Sequence, residues 1–488
     1  MPEFDPRDLA EWSGGTWRGG MPAGVAGFHQ DSREIGRGAM FIALRTENRD
    51  GHDFLDDARS RGASCALVAR HIEGSELPQL VTDEPLAALQ RMAAAHRKRF
   101  RGPVIGVTGS CGKTSTKNLL ADLLSFQGPV LKTEGNFNNH IGVPLTLLRL
   151  EPERHTIAVI EAGINMPGEM TILCEMIGPT HGVVTNVAPV HLEHLIDLDG
   201  VAEEKSGLLK SLPLRGIAAF PATCLAFEQF QSLESSVLVL ESEDFMGAAR
   251  RDLMRRWPSR LSDPGLAKYP RRVRYGRGWA ERNAVLLVRF HGSDEETVFP
   301  VRSLSAGMAE NAGLAIALAH ELGAGDETIR EALLRWEPGS YRGQVFSTDE
   351  GFYYLDCYNS NPVALVDAVE AFVRSAPDEL PRLFVIGSME ELGSEADLFH
   401  FEALRSLRLR DGDFAFLIGT HARAMARGLA DGGNDSGLWS VTETIDAVKE
   451  RLKTFRGAVF VKGSRRYKLE RLWVDLRGNA ASGRGVAC

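Results

Sequence analysis

Apolar and polar residues follow one another along this chain in short blocks that predict buried strands and amphipathic helices. The clearest block covers residues 104–126. Residues 104–107 form a continuous apolar run, which indicates a buried strand, and residues 114–126 carry leucines at helical spacing. These leucines are Leu119, Leu120, Leu123 and Leu124. The block therefore predicts a strand that leads through a glycine-containing loop into a helix.

Other apolar runs of strand length occur along the whole chain, separated by segments of helical pattern. They include residues 38–44, 65–68, 156–160, 182–186, 382–386, 414–418 and 458–461. Alternation of strand and helix is typical of α/β folds with parallel sheets. At 488 residues the chain is too long for one core, so several domains are expected. The pattern places the boundaries so that the domains cover residues 1–100, 101–337 and 338–488.

Composition narrows the classes of ligand and partner. The formal net charge of -9 argues against a general binder of nucleic acid or of anionic membranes. Seven arginines within the stretch 250–277 are interpreted as a solvated face: Arg250, Arg251, Arg255, Arg256, Arg271, Arg272 and Arg274. Six cysteines without a C-x-x-C pair suggest neither a zinc site nor a disulfide framework. We expect a soluble, cytoplasmic protein without membrane insertion, whose partners are small molecules.

The loop between the first strand and helix has the residues of a phosphate cradle. It runs TGSCGKTS over residues 108–115. Backbone N–H groups of such a loop and the N-terminus of the following helix attract phosphate, Lys113 can reach the outer phosphates, and Thr114 can offer its hydroxyl to Mg²⁺. The strict pattern requires glycine where Val107 stands, so a glycine-rich turn without a ligand remains the alternative. Phosphate binding by a nucleoside triphosphate is favoured.

Polar residues also follow other predicted strands. Residues 132–144 include three asparagines, Asn136, Asn138 and Asn139, in a loop able to hydrogen-bond a sugar or phosphate. Glu161 ends a buried strand, where ligands of parallel sheets collect, and His191 follows the next strand. The alternatives are an ordinary turn for residues 132–144, a salt-bridging role for Glu161 and a structural role for His191. Lys205, on a predicted helix among acids, is by itself a surface charge, and Asn311 is expected to face outward on another helix.

Taken together, several motifs resemble those of the Mur ligase family over nearly the whole chain. The most specific are TGSCGKTS at 108–115, TEGNFNNHIGVPLTLL at 133–148, EAGINMPGEM at 161–170, HLE at 191–193, DCYNSNP at 356–362 and VKGSR at 461–465. The resemblance implies three domains: a small N-terminal α/β substrate domain, a central P-loop parallel-sheet ATPase domain, and a C-terminal Rossmann-like α/β domain. It further implies ATP-dependent joining of D-alanyl-D-alanine to a UDP-N-acetylmuramoyl-tripeptide through an acyl phosphate, in peptidoglycan precursor synthesis.

The resemblance also implies roles for individual residues. Nucleotide binding is expected from Gly109, Ser110, Gly112, Lys113, Thr114, Ser115, Asn311, Arg342 and Asp356. Magnesium binding is expected from Thr114, Glu161, His191 and Lys205, with Lys205 matching the lysine that the family carbamoylates. Lys113, Lys205 and His191 are the expected catalytic residues. Substrate binding is expected from Ser32, Arg33, Asn136, Asn138, Asn139, Tyr358 and Asn359.

Some residues depart from the family pattern. His194 stands where glycine is usual, Ser388 where aspartate is common, Cys357 where serine is usual and Glu310 where histidine is usual. These departures concern substrate detail rather than the phosphate and metal positions. A ligase of the same family with a different acceptor and a catalytically silent nucleotide-binding protein are the alternatives. A monomer is expected.

Overall fold

The computed structural model describes residues 3–243, 266–280, 283–301, 305–348 and 351–473. Three β-sheets, of five, nine and six strands, follow one another along the chain. The predicted α/β fold class with three domains is confirmed. Within these ranges, no helix is both long and apolar enough to cross a membrane.

The first sheet is small and has the strand order β1-β5-β4-β3-β2. Its strands are β1 (Thr16–Arg18), β2 (Phe28–His29), β3 (Met40–Ile42), β4 (Cys65–Val68) and β5 (Gln79–Val81), and its helices are α1 (Pro6–Ser13), α2 (Leu55–Ser60) and α3 (Pro85–Arg97). Only β1 is antiparallel to its neighbour. The buried guanidinium of Arg97 donates to the carbonyls of Ile177 and Gly178, both at 2.8 Å. These bonds join α3 to the second domain.

The second sheet has the order β14-β13-β12-β11-β10-β9-β6-β8-β7. Its strands are β6 (Val104–Thr108), β7 (Val130–Lys132), β8 (Ile157–Glu161), β9 (His181–Val184), β10 (Ile217–Pro221), β11 (Ser236–Ser242), β12 (Arg272–Ala280), β13 (Asn283–Arg289) and β14 (Thr297–Pro300). The helices are α4 (Lys113–Leu124), α5 (Gly142–Leu147), α6 (Glu169–Ile177), α7 (Leu192–Leu195), α8 (Leu198–Lys210), α9 (Glu228–Gln231), α10 (Ala306–Glu321) and α11 (Asp326–Arg335). Strands β6 to β12 pair in parallel, and β13 and β14 add an antiparallel edge.

The order of the central strands decides where the cradle lies. Strand β6 pairs on one side with β8 and on the other with β9. Because the three strands are parallel, their carboxyl ends meet at one edge of the sheet. Thr108, Glu161 and Val184 end these strands, so the cradle loop, the carboxylate and the loop after β9 share that edge.

The third sheet has the order β15-β16-β20-β17-β18-β19. Its strands are β15 (Gln344–Thr348), β16 (Gly351–Asp356), β17 (Arg382–Gly387), β18 (Phe414–Ile418), β19 (Trp439–Thr442) and β20 (Gly457–Lys462), and its helices are α12 (Pro362–Ser375), α13 (Ala396–Arg405), α14 (Ala422–Asp431) and α15 (Asp446–Thr454). All pairs except β15 with β16 are parallel. Strands β17 and β20 are buried along their whole length, as their unbroken apolar runs predicted.

The position of Asn311 on helix α10 differs from the prediction. Asn311 was expected to face outward, but the structure buries it. Helix α10 packs on α4 on one side and against β10, β11 and β12 on another, so its alanine-rich surface has little contact with solvent. The four leucines of α4 belong to the same core. Small side chains allow helices to approach closely, and this packing takes Asn311 into the interior.

The arginine-rich stretch 250–277 is only partly described. Arg250, Arg251, Arg255 and Arg256 lie outside the described residues. The end of the stretch forms β12, a strand that the sequence analysis missed. Arg274 lies 3.2 Å from the carboxylate of Glu241 on the neighbouring strand β11. This arginine therefore forms an ion pair between neighbouring strands.

Candidate active site

The cradle loop depends on two glycines with positive φ. Gly109 has φ 147°, and a Cβ atom there would lie 1.9 Å from Oγ1 of Thr185. Gly112 has φ 83° and begins α4 without a side-chain cap. A Cβ at Gly112 would meet the side-chain amide of Asn311 at 2.2 Å. The loop can take this path only with glycine at both positions, and the first-turn N–H groups of α4 are directed to the cradle.

The loop after β9 holds the cradle from the other side. Asn186 accepts hydrogen bonds from the backbone of Ser110 at its carbonyl (3.1 Å) and from the backbone of Cys111 at its side chain (3.0 Å). The Ser110 hydroxyl donates to the Ala188 carbonyl at 2.9 Å. Thr185 and Asn186 were missed by the sequence analysis. The available signal was their position, because they are polar residues directly after a buried strand.

Two lysines of the predicted catalytic set lie close together. Lys113 donates to the carbonyl of Gly109 at 2.8 Å. Burial lowers the pKa of Lys113, and the nearby carboxylate of Glu161 opposes that shift. Lys205, on α8, is fully buried, and burial together with the charge of Lys113 holds its pKa well below the usual range. Lys205 is therefore not the surface charge that its local sequence suggested.

The carboxylate of Glu161 is the centre of a buried polar cluster. Its Oε1 accepts hydrogen bonds from the Thr114 hydroxyl at 3.2 Å and from the Asn138 amide at 2.8 Å. Lys117 lies 3.6 Å from Oε2 and donates to the Thr133 carbonyl at 2.5 Å. Apart from this ion pair, Oε2 is buried without a hydrogen-bond partner among the described residues.

These contacts fit a cation. A buried, under-bonded carboxylate oxygen beside a threonine hydroxyl is a donor set that Mg²⁺ prefers. Within the described ranges, no group of three or more His, Cys, Asp or Glu side chains is arranged to hold a metal ion. The predicted set contains only one carboxylate and one imidazole, so a further anionic ligand would have to come from nucleotide phosphate or from a modified Lys205. Lys117 was missed because it lies outside the recognised motifs, and Thr133 begins the motif at 133–148 but was assigned no role.

His191 contacts the third domain. Its Nδ1 is hydrogen-bonded to the carboxylate of Glu391, and this contact, followed by burial that acts in the opposite direction, leaves the pKa of Glu391 below its usual range. The backbone N–H of Leu192 donates to the Glu391 carbonyl at 3.0 Å. The two domains are therefore joined next to a predicted metal ligand. Glu391 was not among the predicted site residues.

The predicted residues of the third domain form a second cluster. The guanidinium of Arg342 lies over the Tyr358 ring, 3.9 Å from its centroid, and Arg465 lies 5.5 Å from the same ring. Asp356 is paired with the buried Lys462, 2.6 Å away. Burial raises the pKa of Asp356, and Lys462 opposes that shift. Lys462 and Arg465 belong to the motif at 461–465 but were not assigned roles from the sequence.

Electrostatic contact links this second cluster to the cradle. Burial is the main cause that lowers the pKa values of Lys113 and Lys117, and the charge of Arg342 adds a smaller shift in the same direction. A cation from the third domain therefore acts on the phosphate side of the cradle. Several cationic groups share one site, and such a site suits a polyanion such as a nucleoside triphosphate.

The remaining predicted residues have local roles in the structure. Asn139 accepts hydrogen bonds from the backbone of Ile141 at 3.1 Å and Gly142 at 2.9 Å, at the start of α5. Arg33 is exposed and pairs with Asp31 at 2.6 Å. Others are the buried Ser32, the half-buried Ser115, the exposed Asn136, and Asn359, whose carbonyl accepts from Lys462 at 3.3 Å. Their substrate and nucleotide roles stay predictions.

Comparison with known proteins identifies relatives of the whole chain. Family models match for the Mur ligase middle domain at residues 107–243 and for the Mur ligase, glutamate ligase domain at residues 341–465. The UDP-N-acetylmuramoyl-tripeptide–D-alanyl-D-alanine ligase of Escherichia coli is 30% identical over 463 residues, covering 92% of this chain and 93% of its own length. The ligase of that name from Bacillus subtilis is 28% identical, with 93% of each chain covered.

Solved structures resemble this fold. The crystal structure of MurF from Acinetobacter baumannii has a TM-score of 0.81 and 25% identity, covering 98% of this chain and 99% of that chain. MurF ligase from Thermotoga maritima, solved in complex with ADP, has a TM-score of 0.75 and 22% identity, covering 94% of this chain and 98% of that chain. The second likeness bears on the fold alone.

Proposed function

The chain belongs to the Mur ligase family, and on that premise we propose that it joins D-alanyl-D-alanine to UDP-N-acetylmuramoyl-tripeptide with cleavage of ATP to ADP and phosphate. The reaction belongs to peptidoglycan precursor synthesis, which we place in the cytoplasm. The observation that carries the proposal is the match to the Escherichia coli ligase over 92% of the chain. The cradle and the cations around it support an ATP-dependent reaction.

The chemistry requires activation of a carboxylate. A carboxylate does not react with an amine until one of its oxygens becomes a good leaving group. The terminal carboxylate of the tripeptide would attack the γ-phosphate of ATP, which forms an acyl phosphate and releases ADP. The amine of D-alanyl-D-alanine would then attack the acyl carbon through a tetrahedral intermediate, and phosphate would leave.

The first step brings two anions together, and the residues of the cradle reduce that cost. Lys113 would turn from the Gly109 carbonyl to the outer phosphates, where its charge stabilises the transferring phosphoryl group. The first-turn N–H groups of α4 would bind the phosphate oxygens. Thr114, Glu161 and His191 would hold Mg²⁺, which supplies charge neutralisation when bound. Asn138 holds the carboxylate of Glu161 in place.

Lys205 has the properties that carbamoylation requires. Carbon dioxide reacts with a neutral amine, and the pKa of Lys205 is held well below its usual range by burial and by Lys113. The product is an anion, which would relieve the repulsion between two neighbouring lysines and add a ligand for a second Mg²⁺. This modification is part of the proposal, as are the four-residue metal set and the domain boundaries.

Each outer domain would supply one end of the substrate complex. Arg342 and Asp356 of the third domain would bind the nucleotide, with Asn311 behind the cradle, and Tyr358 and Asn359 would lie near the incoming dipeptide. Ser32 and Arg33 of the first domain would bind the UDP end. The acyl acceptor and donor would meet between the domains at the edge of the central sheet.

The decisive experiment measures ADP release by the purified protein with ATP, Mg²⁺ and UDP-N-acetylmuramoyl-tripeptide, with and without D-alanyl-D-alanine. The expected result is release that depends on the dipeptide, together with a product heavier than the tripeptide substrate by the dipeptide minus water. Release that ignores D-alanyl-D-alanine but responds to another amine would assign a different acceptor. No release with any acceptor would contradict the ligase function.

A further inference from the structure

Two residues that meet where the second and third domains touch have left-handed backbone. Five non-glycine residues among those described have positive φ, and His191 and Glu391 are two of them. The φ angle is 56° at His191 and 63° at Glu391. Such conformations are unfavourable for residues with a Cβ and persist where the surrounding structure fixes them, which is frequent at functional sites.

These two residues bind each other across the domains. The side chain of Glu391 is bonded to Nδ1 of His191, and its backbone carbonyl accepts from the N–H of Leu192 at 3.0 Å. Around this double contact, Ala188 and Leu192 of the second domain pack into the apolar core of the third domain with Met389 and Leu392. The left-handed backbone at both residues is thus tied to one specific contact.

The contact determines which nitrogen of His191 is available to a cation. A carboxylate bonded to Nδ1 selects the tautomer with its proton on that atom and leaves the lone pair on Nε2. Ligating histidines generally have such a partner on the other nitrogen, and the partner fixes the orientation of the ring. In this chain the partner belongs to a different domain from the other predicted metal residues, Thr114 and Glu161.

We propose that Glu391 is a positioning residue that orients His191 for cation binding and thereby makes completion of the cation site depend on closure of the third domain. The proposal rests on the proposed function, which assigns His191 to that site. When the third domain moves away, His191 loses the carboxylate and its ring is free to turn. A complete cation site would then exist only when the residues of the third domain are also in place around the nucleotide.

The test measures Mn²⁺ binding by electron paramagnetic resonance in the presence of a non-hydrolysable ATP analogue and UDP-N-acetylmuramoyl-tripeptide. Small-angle X-ray scattering of the same samples reports the radius of gyration. Glu391→Ala removes the carboxylate, whereas Glu391→Gln keeps an oxygen that can accept from Nδ1. Glu395→Ala, an exposed glutamate four residues further along, is the matched control for the change of charge.

The expected result is a loss of Mn²⁺ affinity of about 10- to 100-fold in Glu391→Ala, with a larger radius of gyration. Glu391→Gln should largely restore both values, and Glu395→Ala should match the parent. The proposal would be overturned if Glu391→Ala kept the Mn²⁺ affinity and the radius of gyration of the parent. An equal loss of Mn²⁺ affinity in Glu391→Ala and Glu391→Gln would also overturn it, because that would indicate a charge effect or direct ligation. If Glu391→Ala does not fold, Glu391→Asp, whose shorter side chain withdraws from His191, takes its place.

The two proposals can fail separately. If the parent protein binds Mn²⁺ with the nucleotide analogue but forms no product with D-alanyl-D-alanine, the proposed function fails and the coupling of His191 to Glu391 is still measured. If the parent forms the product and Glu391→Ala keeps parent Mn²⁺ affinity, the positioning role alone is wrong.

Discussion

Lys205 shows how the surroundings of one residue can reverse the meaning of its local sequence. Glu203 and Glu204 precede it on α8, yet the Lys205 side chain is buried, and the charge of Lys113 acts on it. Replacing Lys205 with alanine should lower kcat for ADP release by about 10²-fold or more, because the site loses a group that stabilises developing charge. Steady-state ADP release, with circular dichroism as a test of folding, checks this prediction.

The control for Lys205 is Lys210→Ala. Lys210 lies on the same helix but is partly exposed and pairs with Glu203 at 2.8 Å. Its replacement should leave kcat within about twofold of the parent, since exposed ion pairs contribute little. Release of ADP at the parent rate by Lys205→Ala would show that this lysine has no catalytic role.

The buried side chain of His400 should make the stability of the third domain depend on pH. Its Nε2 accepts from the backbone of Met389 at 2.7 Å, its Nδ1 is bonded to the Ala396 carbonyl, and burial lowers its pKa to about 4. The unfolded chain, with a pKa near 6.5, therefore binds more protons than the fold between these values. The contribution of His400 to stability is complete above pH 6.5 and is lost as the pH falls toward 4, by up to about 3 kcal/mol.

This prediction is checked by chemical unfolding of the parent and of His400→Gln between pH 7.5 and 4.5. The difference in unfolding free energy between the two proteins should shrink as the pH falls, because glutamine does not titrate. A constant difference over that range would mean that His400 does not carry the pH dependence.

At the scale of elements, the contact between the start of α4 and helix α10 fixes the shape of the cradle. A Cβ at Gly112 would overlap the amide of Asn311, and φ 83° is itself unfavourable for alanine. Gly112→Ala should lower the unfolding free energy by more than the about 1–2 kcal/mol that the backbone conformation alone costs. It should also weaken ATP binding at least about tenfold, since the cradle must shift.

Gly74 offers a matched control for this element. Its φ of 84° is nearly that of Gly112, but no atom lies within 4 Å of the Cβ position. Gly74→Ala should therefore show only the backbone cost, with unchanged ATP affinity measured by isothermal titration calorimetry. Equal destabilisation by the two variants would mean that the close approach of Asn311 does not constrain the cradle.

Strands with an unbroken apolar run were predictable, and β12, which lacks one, was not. Strands β6, β8, β17 and β20 match their apolar runs, because a parallel strand covered on both faces selects apolar residues throughout. Strand β12 was missed because its arginines interrupt any apolar run. Arg274 is stabilised in the sheet by its ion pair with Glu241 on the neighbouring strand. Tertiary ion pairing there overrides the local polar pattern.

At the scale of the whole molecule, Arg342 connects the third domain to the phosphate side of the cradle. Its guanidinium lies over Tyr358 and its charge acts on Lys113. Arg342→Ala should weaken ATP binding by about 10- to 100-fold, because hydrogen bonds to charged groups contribute about 1.5–3 kcal/mol. Arg342→Lys should lie between the parent and alanine, since lysine keeps the charge but loses the planar contact.

Calorimetric titration with ATP checks this prediction, with Arg335→Ala as the control. Arg335 is an exposed arginine at the end of α11 in the central domain. Its replacement should leave the affinity unchanged. An unaltered dissociation constant for ATP in Arg342→Ala would mean that the third domain does not contribute to nucleotide binding through this residue.

The sequence by itself determined the features that depend on neighbours along the chain. Residues 108–115 predict the cradle because the glycines, the lysine and the helix start are consecutive, and their function follows from local backbone geometry. The motifs in their order identified the family and the α/β architecture. These features require no knowledge of which strands pair.

The tertiary structure alone decided what meets at the cradle. Strand order placed Glu161 beside Thr114, buried Asn311 against Gly112, and brought Lys117 within 3.6 Å of the Glu161 carboxylate. It also joined His191 to Glu391, 200 residues away along the chain. Local patterns encode backbone conformation and burial, whereas contacts between distant segments depend on how whole sheets and domains pack.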